Sequence, residues 1–106
     1  MSKTWRRYEV LLPLRFNDGR SVPTEYLAEA VLEIVDRFDA ASHETQKVEG
    51  HLRHEGVLYH DDLVRLIIDL PDKPPNRLWM KQFKERWRER TAQFESWMVS
   101  YRIEVE

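Results

Sequence analysis

The chain has 106 residues, which fits one domain spanning residues 1–106 and allows a core without metal or disulfide support. Its 17 basic and 19 acidic side chains give a formal net charge of −2, so no overall attraction to nucleic acid or anionic membranes is expected. Because the chain has no cysteine, a thiol nucleophile, a redox pair and a thiolate metal site are all excluded.

The N-terminal part predicts a strand followed by a helix. Apolar side chains alternate over residues 8–16, which is typical of a strand with one buried face. Asn17-Asp18-Gly19 indicates a turn. Apolar residues then recur at helical spacing over residues 27–38, after Pro23, and the opposite side of this helix is acidic.

A hairpin centred on Glu55-Gly56 follows a segment of weak strand character at residues 41–47. A two-residue turn would place Glu55 at positive φ, which is unfavourable. We therefore predict a three-residue loop, residues 54–56, that pairs Leu52 with Leu58 and His51 with Tyr59.

The C-terminal part predicts a second helix and a last strand. The helix spans residues 78–94, with Asn76 as N-cap and with Phe94 in its buried stripe. The strand spans residues 97–105, and its alternation places Trp97 and Tyr101 on the core side and Met98 on the other.

The order of these elements predicts an α+β domain of the ferredoxin-like βαββαβ type. Such a domain has a four-stranded antiparallel sheet with two helices on one face, so its other face is uncovered. Four apolar side chains are expected on the uncovered face and predict a homodimer interface: Leu11, Leu63, Ile67 and Met98.

The hairpin concentrates side chains that could carry chemistry. His51, His60, Asp61 and Asp62 are candidate general acids or bases. Glu49, His51 and Asp61 share one face in the predicted register and are candidate ligands for zinc, manganese or iron. The competing interpretation is a solvent-exposed hairpin that tolerates polar residues.

The second helix is rich in basic residues, which suggests a nucleic-acid surface. Its candidate contacts lie along one flank of the apolar stripe: Arg77, Lys81, Lys84 and Arg88. The alternative is that the aliphatic parts of these side chains cover the buried stripe, while their charged ends pair with the acidic first helix. The outward positions of the central strands carry no aromatic ring for base stacking, which disfavours the mode of RNA binding used by RNA-recognition motifs. Nucleic acid is therefore not the expected partner.

The chain resembles a group of small bacterial proteins of unknown function with ferredoxin-like folds. The resemblance rests on Gly19 followed by Val22-Pro23, on Phe38 closing the first helix, on Gly50, and on the Gly56 turn followed by Asp61-Asp62. It implies the fold but no activity. Phe38-Asp39-Ala40 departs from the Phe-Gly-Gly turn usual in these proteins.

These patterns predict a non-enzymatic interaction module that acts as a homodimer through its open sheet face. One alternative is a small dimeric α+β-barrel enzyme, or a metal-binding protein, that uses the hairpin His and Asp residues; a second is nucleic-acid binding through the basic helix. No cofactor is predicted, and a protein partner is not specified. Residues 1–7 lack a signal-peptide core and no apolar run could span a bilayer, so a cytoplasmic location without membrane contact is expected.

Overall fold

A computed structural model describes residues 4–106, so Met1–Lys3, which belong to the segment tested for a signal peptide, lie outside the described residues. Five strands and two helices follow in this order: β1 Trp5–Pro13, α1 Thr24–Phe38, β2 Ser42–His43, β3 Val48–His54, β4 Val57–Pro71, α2 Pro74–Arg90 and β5 Met98–Ile103. The sheet is antiparallel, with β1 and β4 at its centre, β5 beside β1, and both β2 and β3 beside β4. The predicted α+β class with two helices is confirmed.

The predicted number of strands is wrong, because the second strand is divided. Ser42 and His43 pair with Ile67 and Leu66, whereas β3 pairs with the N-terminal part of β4, residues 57–63. Residues 44–47 between them are polar, and the Glu44 amide still donates to the Arg65 carbonyl at 3.0 Å, so the chain leaves the sheet edge after Glu44. The sheet therefore has five strands rather than four.

Both helices pack on one face of the sheet, here called the helix face. Even-numbered side chains of β1 and β4 lie on it, and those of residues 8–12 and 64–70 form the core with residues of both helices. Its buried members are Tyr8, Val10, Leu12, Ala30, Ile34, Val64, Leu66, Ile68, Leu70, Met80, Phe83 and Trp87. The odd-numbered side chains of β1 and β4 lie on the other side, here called the open face.

The predicted faces of the last strand are reversed. β5 pairs with β1 so that Met98 is opposite Val10 and Tyr101 is opposite Arg7. Residues directly opposite in a sheet share a face, so Met98 packs against the core and Tyr101 lies on the open face. Alternation alone gives the period of a strand but not which side is buried.

The predicted hairpin loop is also wrong. His54 pairs with Val57, so the turn has only two residues, Glu55 at φ 50° and Gly56 at φ 80°. This turn matches the right-handed twist of the two strands, and that match outweighs the strain at Glu55. The register moves by one residue, so Leu52 is opposite Tyr59 and His51 is opposite His60.

The second helix begins and ends four residues earlier than predicted. Its N-cap is Lys73, while the Asn76 side chain donates a hydrogen bond to the Pro71 carbonyl. The helix ends at Arg90, and the buried Thr91 hydroxyl donates to the Trp87 carbonyl, 2.6 Å away. Phe94, predicted in the buried stripe, is 40% exposed.

Ion pairs join the two helices, as the complementary charges predicted. Arg86 pairs with Glu33, whose other oxygen accepts a hydrogen bond from the Trp87 indole at 3.1 Å. Arg90 pairs with Glu29. Among the described residues, no helix has the length and apolarity needed to cross a membrane.

Candidate functional site

A cleft of about 210 Å³ lies at the end of the sheet where β1 stops. We call it the sheet-end cleft. Most of its surface is apolar, and its polar groups come from the hairpin and from the segment after α2. Its lining includes Leu11, Pro13, Gly50, His51, Leu52, Asp61, Leu63, Arg88, Thr91, Gln93, Glu95 and Trp97.

The cleft exists because β4 is longer than β1. Pro13 is opposite Leu63, whereas β4 continues to Val57 with only β3 beside it. Residues 91–97 cross here from the helix face to the open face. In the middle of this segment, Phe94 packs on the hairpin. Its ring stacks on His54 with 4.0 Å between ring centroids and lies edge-on to Tyr59 at 5.1 Å.

Buried and partly buried hydrogen bonds hold the crossing segment in place. The Gln93 side chain donates to the Thr91 carbonyl at 3.1 Å, and Arg88 donates to the Gln93 carbonyl at 3.0 Å. Ala92 has φ 52°, a conformation that costs energy for a residue other than glycine. The Leu11 amide donates to the Trp97 carbonyl at 3.1 Å, so the segment joins β1 as it reaches β5.

The polar side chains of the cleft favour a cation. Asp61 is half-buried and Glu95 is exposed, and Asp61 has no ion pair within residues 4–106. The positive charge of Arg88 is paired with Glu85. The hydrogen bond between them raises the pKa of the Arg88 guanidinium. Trp97 is 63% exposed at the cleft, where its ring can cover a ligand. Carboxylates beside apolar surface and an aromatic ring suit an organic cation.

A charged row on the open face continues from the cleft along β1. Arg65 is opposite Leu11 and lies 3.4 Å from Glu9 and 3.0 Å from Glu44. The Tyr101 hydroxyl donates to Glu9 at 2.5 Å, and this hydrogen bond raises the pKa of Tyr101. The sequence interpretation missed the pair of Glu9 and Tyr101, because it placed Tyr101 on the other face.

The hairpin residues predicted to act together are divided between the two faces. Asp61 is opposite Gly50 and lines the cleft, whereas Glu49 is opposite Asp62 and His51 is opposite His60. The predicted ligand set of Glu49, His51 and Asp61 therefore does not share a face, because the register is one residue from that predicted. A different set is brought together: Glu49, His60 and Asp62.

The predicted interface residues are divided too. Leu11 and Leu63 border the cleft and Ile67 lies farther along the open face, whereas Met98 packs against the core, so its predicted place on the open face is wrong. Of the basic candidates on α2, Arg77 pairs with Asp72 at 2.8 Å and Arg88 pairs with Glu85. Self-association and nucleic-acid binding stay predictions.

The fold is similar to that of a phage SAM lyase. One structure of that enzyme, in complex with S-methyl-5'-thioadenosine, superposes with a TM-score of 0.72 at 15% identity, covering 99% of this chain and 93% of that one. A structure in the apo state gives 0.66 at 16% identity, covering 100% and 94%. No protein-family model matches the chain, and no curated protein matches it.

These neighbours contradict the predicted non-enzymatic interaction module and the expectation that the chain is not an enzyme, because both are structures of an enzyme. At such low identity the likeness itself establishes only the fold, so the reaction depends on the residues of the site. The resemblance to small bacterial proteins stays a prediction.

Sequence reasoning did not place residues 91–97 at the cleft, and the reason lies in the local sequence. The apolar spacing of α2 continues through Phe94, so sequence reasoning extends the helix across them. Alanine at position 92 gives no signal for a left-handed turn, which usually takes glycine or asparagine.

Proposed function

We propose that this protein is an enzyme that binds S-adenosylmethionine in the sheet-end cleft and cleaves it without water, releasing S-methyl-5'-thioadenosine. The observation that carries the proposal is the end-to-end correspondence with the phage SAM lyase, which spans 99% of this chain and 93% of that one. A fold shared over nearly the whole of both chains provides the same framework on which a site can be built.

The chemistry of the cleft supports this substrate. S-adenosylmethionine combines an aromatic ring system with a sulfonium and an ammonium cation. Trp97 can cover a ring or a cation, and Asp61 and Glu95 supply negative charge. The released thioether is neutral, so carboxylates in the cleft bind the substrate more strongly than this product.

Cleavage of a sulfonium needs little from the protein beyond positioning and exclusion of water. The electron pair of the broken carbon–sulfur bond goes to sulfur, which becomes neutral. The carbon regains its fourth bond when the substrate's own carboxylate oxygen donates a pair to it, so no water, proton or cofactor is consumed. Opposite charges cancel in this step, and an apolar cleft that holds the reacting atoms together favours it.

The test is to incubate the purified chain with S-adenosylmethionine and to follow S-methyl-5'-thioadenosine by liquid chromatography with mass detection. We expect product to form without any added cofactor. Leu11→Phe should block the reaction by filling the cleft. Ile67→Phe is the matched control, because Ile67 lies on the same face but does not line the cleft.

The outcomes separate three cases. Product that depends on Leu11 but not on Ile67 supports the proposal. Binding without product indicates a receptor for the nucleoside and rejects the reaction. Equal loss in the two variants indicates a shared effect on the open face, such as loss of self-association, and argues against the cleft as the site.

A cytoplasmic location and self-association through Leu11, Leu63 and Ile67 remain parts of this proposal. The apolar side chains on the open face, which neither helix within residues 4–106 covers, support self-association. Sedimentation equilibrium tests it, because a strict monomer at high micromolar concentration contradicts it.

A further inference from the structure

We propose a second site on the hairpin that binds a divalent transition metal of the zinc type, with Glu49, His60 and Asp62 as ligands. It lies on the opposite face of the hairpin from Asp61 and the sheet-end cleft. The proposal is independent of the lyase activity, because none of its three ligands lines the cleft.

The sheet geometry brings the ligands together. Glu49 is directly opposite Asp62, and His60 lies two residues from Asp62 on the same strand, so all three share one face. One ligand atom from each lies within 4.8 Å of the other two. Tetrahedral zinc bonds of about 2.0–2.2 Å require ligand atoms roughly 3.3–3.6 Å apart, which small rotations of these surface side chains can supply.

The donor set decides the class of metal. One imidazole nitrogen with two carboxylate oxygens suits zinc, cobalt or manganese, whereas magnesium prefers oxygen ligands alone. His51 stacks on His60 with 4.7 Å between ring centroids. Because His51 also lines the sheet-end cleft, it is not counted as a ligand, and water can complete the coordination.

The charges around the site are incompletely paired. Asp62 lies 3.5 Å from Lys47 and 3.6 Å from Arg15, whereas Glu49 has no ion pair with any residue from 4 to 106. A bound cation would pair with Glu49 and would displace Lys47, whose side chain is 59% exposed, from Asp62. Lys47 is therefore a competitor of the metal, which gives the site a testable signature.

Titration calorimetry of the full chain with zinc chloride tests the proposal, with magnesium chloride as the second titrant. We expect one zinc site and no magnesium binding. His60→Asn should weaken zinc binding at least about tenfold. Lys47→Gln should strengthen it about two- to fivefold, since an exposed ion pair of ordinary strength is removed.

The matched control is His43→Asn, because His43 is exposed on β2 outside the ligand cluster and should leave zinc binding unchanged. Thermal unfolding without metal confirms that each variant folds, and Glu49→Gln replaces His60→Asn if that variant does not. Unchanged zinc affinity in the ligand variant, or equal loss in the His43 variant, overturns the proposal and indicates adventitious binding to surface histidines.

Discussion

Removal of one charge from the cleft should separate recognition of the cation from recognition of the nucleoside. Asp61→Asn keeps the size of a half-buried side chain but removes its charge. We expect weaker binding of S-adenosylmethionine, which carries a net positive charge, and unchanged binding of S-methyl-5'-thioadenosine, which is neutral.

The expected magnitude follows from the partial burial of Asp61. Opposite charges about 5 Å apart attract by roughly 3 kcal/mol at an effective dielectric constant near 20. Solvent reaches half-buried Asp61, so about 1 kcal/mol is expected to remain, which corresponds to a loss of affinity of about fivefold.

Titration calorimetry with both ligands measures the difference. Asp36→Asn is the control, because it removes the same charge from an exposed position on α1 that does not line the cleft. If both ligands lose affinity equally in Asp61→Asn, the carboxylate shapes the cleft rather than attracting a cation, and the electrostatic argument is wrong.

Three further predictions concern stability. Glu55→Asn should raise the free energy of unfolding in urea by about 0.5–1 kcal/mol, because asparagine tolerates positive φ in a two-residue turn; no gain would argue against this turn. Phe94→Ala should lower it by about 1 kcal/mol and speed amide exchange in residues 91–97, since stacking on His54 is lost; unchanged exchange would contradict that role. The hydrogen bond from Arg6, followed by that from Arg77, lowers the pKa of Asp72 below its ordinary value of 3.8. The ionised Asp72 therefore stabilises the fold at neutral pH, and this contribution is lost as the pH falls below about 4 through the lowered pKa. Asp72→Asn should flatten this acid dependence of the melting temperature, and an unchanged slope would refute it.

The sequence predicted what depends on local spacing. Helical recurrence identified both helices, as Ile34 and Phe83 in the core illustrate, and alternation identified the two central strands. The charge complementarity of the helices, seen in Arg86 with Glu33, was also readable, because it needs only the faces of two amphipathic helices.

The candidate site could not be predicted in the same way. Asp61 was singled out, but it was assigned to the same face as Glu49. That assignment assumed a three-residue turn, whereas the turn has two residues. Glu95 and Trp97 were not connected with Asp61, because they reach it only through the crossing of residues 91–97 past the end of β1.

The amino-acid sequence by itself thus determined the elements of this protein, since the period of apolar side chains is set by the backbone geometry of each segment. Only the tertiary structure decided which face β5 buries, how the hairpin strands are aligned and which carboxylates share a site. In a sheet those properties depend on register between distant segments, where a shift of one residue moves every side chain of a strand to the other face.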